Sequence, residues 1–74
     1  MKYYQRMRDM REDHDLNQTE LGVVLGTTQS YYAQYENGKR EMPFTRAIEL
    51  ALFYNISLDY LAGLIDEPRP LKGT

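Results

Sequence analysis

No cysteine occurs in the 74 residues, so neither a disulfide nor a thiolate metal site is available to staple the chain. The single histidine, His14, cannot build a metal site alone and reads as a solvated loop residue. No apolar run approaches the ~18 residues of a membrane span. The opening residues, Met1-Lys2-Tyr3-Tyr4, hold no apolar signal region. Strand-type alternation, internal repeats and low-complexity stretches are missing, and so is a glycine-rich phosphate loop. No His, Cys or Ser constellation converges with the carboxylates, which gives no basis for an enzyme. The expectation left by these absences is one soluble, cytoplasmic, all-α domain without metal or cofactor. Its core must come from helix packing, and a chain this short buries only about 60% of its unfolded surface.

Positive charge is also scarce. The net charge is −2, which argues mildly against a nucleic-acid partner. The distribution softens that objection. Residues 16–46 carry three acids (Glu20, Glu36, Glu41) and three bases (Lys39, Arg40, Arg46), whereas residues 47–67 carry four acids and no base. The acidity lies toward the C-terminal end.

What is present is helical periodicity. A first helix is expected from about Lys2 to Asp13, with Tyr3, Met7 and Met10 on one stripe. A second starts at Asn17, where Glu20 completes a capping box and Leu16 and Leu21 form the matching staple. Leu21, Val24 and Leu25 are its buried stripe, and Gly26 ends it. A third is capped by Thr28 and runs through Glu36, with Tyr32 and Tyr35 inward and Asn37-Gly38 closing it. A fourth spans about Phe44 to Tyr54, with Phe44, Ile48, Ala51 and Leu52 inward and Asn55 as a left-handed cap. Ser57 caps a fifth, stapled by Ile56 and Leu61, which ends near Ala62-Gly63. Domain bounds of 1–65 follow, with 66–74 as a short tail.

The second and third helices are the informative pair. A connection of two or three residues through Gly26 forces them to cross steeply, and Gly22 suits the crossing point because anything larger would hold the helices apart. This is a helix-turn-helix over about 17–37, whose second helix is suited to a DNA major groove. Thr28, Gln29, Ser30, Ala33 and Gln34 are the candidate base-contacting residues: glutamine pairs with adenine through two hydrogen bonds, and alanine meets a thymine methyl. Asn17, Gln18, Tyr31, Asn37, Lys39 and Arg40 are the candidate phosphate-contacting residues, near helix termini where free N–H groups favour anions. Tyr31 sits between faces, placed either to stack on the sugar-phosphate edge or to cover the core.

The runs Leu16-Asn17-Gln18-Thr19-Glu20-Leu21, Leu25-Gly26-Thr27-Thr28-Gln29-Ser30 and Tyr35-Glu36-Asn37-Gly38-Lys39-Arg40 closely resemble the Cro/repressor-type (lambda-repressor-like) helix-turn-helix family. The likeness continues through Ala47-Ile48-Glu49-Leu50-Ala51 and residues 55–61. It implies a compact five-helix fold and a transcriptional regulator, a repressor binding a palindromic operator in double-stranded DNA as a homodimer. It implies that Gln18 contacts phosphate and braces Gln29, which reads a base. It also implies an ion pair between Arg11 and Glu36, either buried or exposed. The dimer contact is expected at the fifth helix and beyond, through Leu58, Leu64, Ile65 and Leu71. The alternative function is a module holding a protein partner, as antitoxins and anti-repressors do.

Overall fold

In the computed structural model, which describes residues 2–71, three of the five helices begin at a side-chain cap. α1 spans Tyr3–Asp13, α2 Gln18–Leu25, α3 Gln29–Glu36, α4 Phe44–Tyr54 and α5 Leu58–Leu61. Asn17 Oδ1 accepts from the Glu20 N–H at 2.8 Å while Glu20 Oε1 accepts from the Asn17 N–H at 3.0 Å, so the capping box is complete. Thr28 and Ser57 cap α3 and α5 in the simpler way, through the N–H groups of Tyr31 and Tyr60.

The stops share one geometry. Asp15, Gly26, Gly38, Asn55 and Gly63 are the described residues with positive φ, at 55°, 70°, 73°, 56° and 84°. After each, the next residue donates its N–H to the carbonyl five positions back: Leu16 to Arg11, Thr27 to Gly22, Lys39 to Gln34, Ile56 to Ala51 and Leu64 to Asp59. This closes the orphan carbonyls of each last turn. Glycine takes the left-handed conformation without a Cβ clash, and Asp and Asn are the side-chain-bearing types that tolerate it.

Helix α2 packs on α3, α1 reaches both α3 and α5, and α4 joins α2 to α5. Met7, Leu21, Tyr32, Tyr35 and Leu50 are the most deeply buried of the large side chains. Gly22 lies at the α2–α3 crossing, where a Cβ would sit 3.0 Å from the Thr27 carbonyl oxygen and 3.1 Å from Thr28. No described helix is long and apolar enough to cross a membrane.

One expectation needs correction, and two residues make contacts that the sequence did not announce. The inward face of α4 is Leu50, Ala51 and Tyr54, not Phe44, Ile48 and Leu52, which are 69%, 37% and 65% exposed; only Ala51 is common to both sets. The helix carries two apolar stripes, and periodicity alone does not choose between them. His14 is exposed but docked, with Nδ1 2.9 Å from the Met10 carbonyl and its ring 4.9 Å from that of Tyr54. Arg6 is 4% exposed on the apolar stripe of α1. Its Nη1 donates to the carbonyls of Tyr60 at 2.8 Å and Ile65 at 3.2 Å, and its guanidinium lies 3.9 Å from the Tyr60 ring centre. The segment after α5 is tied back again where the Ser57 N–H donates to the Arg69 carbonyl at 2.7 Å. Residues 72–74 of the expected tail lie outside the described residues.

Candidate nucleic-acid interface

Helix α3 is two-sided. Tyr32 and Tyr35 fill the core, Gln29 and Ser30 are exposed, and Ala33 and Gln34 are half-buried beside them. Thr28 at the N-terminus is exposed while its hydroxyl caps the helix. All five candidate base-contacting residues therefore lie on or beside the outer side of α3.

A polar chain runs from the interior to that surface. Arg11 Nε donates to Glu36 Oε2 at 2.8 Å and Arg11 Nη2 to Oε1 at 3.1 Å, a two-pronged pair. A third donor, Arg11 Nη1, reaches the Leu16 carbonyl at 2.9 Å. Gln18 Nε2 donates to Glu36 Oε1 at 3.3 Å, and Gln29 Nε2 donates to Gln18 Oε1 at 2.6 Å. A carboxylate only accepts. Glu36 therefore turns the Gln18 NH2 toward itself and leaves the Gln18 oxygen for Gln29. Gln29 then keeps one N–H and its own oxygen free to face outward.

Burial by itself would push the Glu36 carboxyl up. The hydrogen bond from Arg11, the Tyr32 hydroxyl beside it, the Gln18 amide and the Arg11 charge outweigh burial and hold it below the ordinary glutamate value. The same hydrogen bond raises Arg11. Burial pushes the Tyr32 hydroxyl well up, and the neighbouring Glu36 adds to this, so Tyr32 stays protonated.

A second cluster forms on the other flank of α3. Arg40 Nε donates to Gln34 Oε1 at 3.2 Å, and its guanidinium lies 4.5 Å from the centre of the Tyr31 ring. Arg46 lies 5.6 Å from the same ring and donates through Nη1 to the Tyr35 hydroxyl at 2.8 Å. Tyr31 is half-buried between these arginines and edge-on to Tyr35. The loop carrying Lys39 and Arg40 is held from α1: the Tyr3 hydroxyl accepts from the Met42 N–H at 3.1 Å, and the Tyr4 ring covers Gly38. Asn37 is exposed, and its Oδ1 accepts from Arg8 at 3.3 Å. Asn17 is exposed but spends its side chain on the cap. A polar notch lined by Arg11, Asn17, Gln18, Thr19 and Gln29 opens where α2 begins.

Arg46 is absent from the sequence-derived set. One signal for it existed: a cation in the first turn of a helix is at the unfavourable end of the dipole, so something else holds it there.

The geometry has known counterparts. The pattern of the helix-turn-helix family matches residues 7–61. An uncharacterized HTH-type transcriptional regulator of Bacillus subtilis, YobD, is 37% identical over 68 residues, covering 92% of this chain and 61% of that protein. The transcriptional repressor RstR of cryptic phage CTXphi, from Vibrio cholerae, is 31% identical over 58 residues, 78% of this chain and 52% of the repressor. The chain thus spans half to three-fifths of the length of these relatives. Among solved structures, a transcriptional regulator from Listeria innocua superposes with a TM-score of 0.81 at 21% identity, covering 89% of this chain and 62% of that one. The P22 c2 repressor, solved with a synthetic operator, gives 0.74 at 24% identity, covering 82% and 92%. The fold is shared with both.

Proposed function

This chain belongs to the helix-turn-helix family, and on that premise we propose that it is a sequence-specific DNA-binding transcriptional repressor acting in the cytoplasm, not an enzyme. The observation that carries the reading is the Glu36–Gln18–Gln29 chain. It presents Gln29 at the head of α3 with one donor and one acceptor free, which suits the N7 acceptor and N6 donor of adenine in the major groove. Ser30, Ala33 and Gln34 read neighbouring positions. Gln34, whose oxygen is held by Arg40, offers its amide hydrogens.

Phosphates flank this reading surface. One sits in the notch at the start of α2, where the Asn17 cap takes the Glu20 N–H and leaves those of Gln18 and Thr19 for an anion. Another meets Lys39, Arg40 and Arg46 around Tyr31, with the backbone at Asn37-Gly38. These contacts position the protein and carry little sequence information. A two-fold dimer reads a palindrome whose half-sites lie about 34 Å apart, a spacing that suits a side-by-side pair of domains measuring 35 × 23 × 21 Å.

The test is selection of bound duplexes from a random pool at two salt concentrations, followed by Gln29→Ala on the selected site. We expect a palindrome, and a loss of about 1–3 kcal/mol on it with little loss on random DNA. Equal loss on both removes Gln29 as a base reader. A second reading, a module that holds a protein partner, is favoured by the acidic 47–67 stretch. Stoichiometric co-purification of another protein in place of DNA binding would select it.

A further inference from the structure

We propose that the bare apolar face of α4 is the surface through which two copies of this chain pair about a two-fold axis. This deepens the dimeric part of the reading above and rests on it only for the dimer's use on DNA.

The starting point is a helix whose polar side is narrow. Of the eleven residues of α4, only Thr45, Arg46 and Glu49 are polar or charged, apart from the Tyr54 hydroxyl. One side sends Leu50, Ala51 and Tyr54 into the core. The other carries Phe44, Ile48 and Leu52 at i, i+4 and i+8, exposed to 69%, 37% and 65%. A contiguous exposed apolar patch with a polar rim marks a contact surface. Taking a phenylalanine side chain as about 200 Å², these three residues offer roughly 300 Å² per copy. Two copies give roughly 600 Å², and a rim of Thr45, Glu49 and Asn55 brings the total to roughly 1,000 Å², the threshold that a specific interface has to reach. The stripe also runs into an apolar groove of about 250 Å³ whose walls include Tyr3, Met42, Phe44 and Leu58.

The occupant is a second copy because the stripe complements itself. Ile48 is its midpoint. An antiparallel pairing through Ile48 sets Phe44 against the partner's Leu52, and Leu52 against the partner's Phe44, the reciprocal contact that a two-fold axis requires. At 100° per residue, Glu49 and Thr45 fall to one side of the line, so no charge is trapped on it. Antiparallel helices also place opposite dipole ends together. DNA does not suit this face, whose one outward charge is Glu49. The surface expected from sequence suits it less. Leu58 and Ile65 are half-buried, and Leu58 belongs to the groove wall, so Leu64 and Leu71 are the exposed side chains that remain there.

The test is sedimentation equilibrium of the full chain without DNA, from micromolar to millimolar concentration, with circular dichroism as the check of folding. We expect a monomer–dimer equilibrium that Leu52→Lys weakens roughly 10- to 100-fold with the helical signal intact, since Leu52 is largely exposed. Adding Phe44→Glu to Leu52→Lys in the same chain should recover part of the association, because the two positions meet across the axis. Leu64→Lys should leave it unchanged. A wild-type chain that stays monomeric to millimolar concentration overturns the proposal. So does dimerisation lost in Leu64→Lys and kept in Leu52→Lys, or a different protein bound one-to-one on a monomeric chain through α4. A chain that dimerises as described yet selects no DNA sequence keeps this inference and removes the repressor reading.

Discussion

Glu36 is a buried anion whose hydrogen bonds serve two purposes at once. Its side chain has no exposed surface, and Arg11 beside it is 14% exposed. Removing one member of such a pair strands the other, so Glu36→Gln should cost about 3–5 kcal/mol in urea unfolding. The pH dependence follows from the direction of the shift. The carboxyl titrates lower in the folded chain than in the unfolded one. Its stabilisation is therefore complete above the unfolded value of 4.5 and drains away as pH falls below it. The stability gap between wild type and Glu36→Gln should narrow across that acid range; a gap independent of pH would show that the carboxylate is not the source. Gln18→Ala separates the second purpose. It leaves the ion pair in place and frees Gln29 to rotate, so operator affinity should fall by about 0.5–1.5 kcal/mol, the ordering cost of one side chain, while stability falls by about 1.5 kcal/mol, the worth of one hydrogen bond to Glu36 and well short of the ion-pair loss. Gln18, Gln29, Arg11 and Glu36 were all nameable from sequence, because their types and spacing resemble a known pattern. Arg6 and Arg46 were not. Each is an arginine placed against local expectation, one on an apolar stripe and one at a helix N-terminus, and only the tertiary partners, the carbonyls of Tyr60 and Ile65 and the hydroxyl of Tyr35, explain them.

Helix boundaries were legible because caps are local chemistry. Asn17, Thr28 and Ser57 at the starts, and Gly26, Asn55 and Gly63 at the ends, state their roles through side chains that either accept from nearby N–H groups or tolerate positive φ. Which face of a helix turns inward is not local. In α4 the stripe of Leu50, Ala51 and Tyr54 competes with that of Phe44, Ile48 and Leu52, and the packing of α2 and α5 decides between them. The crossing of α2 and α3 lies between these cases. Gly22 announces a close approach, and the structure shows what approaches: the Thr27 carbonyl oxygen would stand 3.0 Å from a new Cβ. The neighbouring atoms are backbone of the turn itself and cannot rotate aside. Alanine improves helix propensity by about 1 kcal/mol, but overpacking costs typically 1–3 kcal/mol. Gly22→Ala should therefore be net destabilising by about 1 kcal/mol in thermal unfolding. It should also weaken operator binding more than random-DNA binding, because α3 is tilted from its seat. A stabilised variant would mean that the turn yields.

At the scale of the whole molecule, the proposed function asks a protein of net charge −2 to hold a polyanion. The interface solves this by segregation. Glu36 is neutralised in the interior, Glu20 is engaged in a cap, and the acids of residues 47–67 lie in α4, α5 and the segment after them. Arg40 and Arg46, stacked about Tyr31, supply positive charge beside α3. On that proposal, so few cations per copy should give weak binding to a single half-site, with pairing of two copies as the source of operator affinity. Salt dependence counts the phosphates neutralised, each lowering the slope of log K against log salt by about 0.9. In a dimer, Arg46→Ala removes one contact per copy, so the slope on the selected palindrome should become shallower by about 2. The loss in affinity should be nearly the same on palindromic and random duplexes, since a phosphate contact reads no sequence. Thermal stability should change by less than about 1.5 kcal/mol, the worth of one hydrogen bond to the Tyr35 hydroxyl. An unchanged slope with lowered stability would assign Arg46 to the core alone. A loss confined to the palindrome would make it a reader of bases, and the separation between the reading glutamines and the positioning arginines would then have to be redrawn.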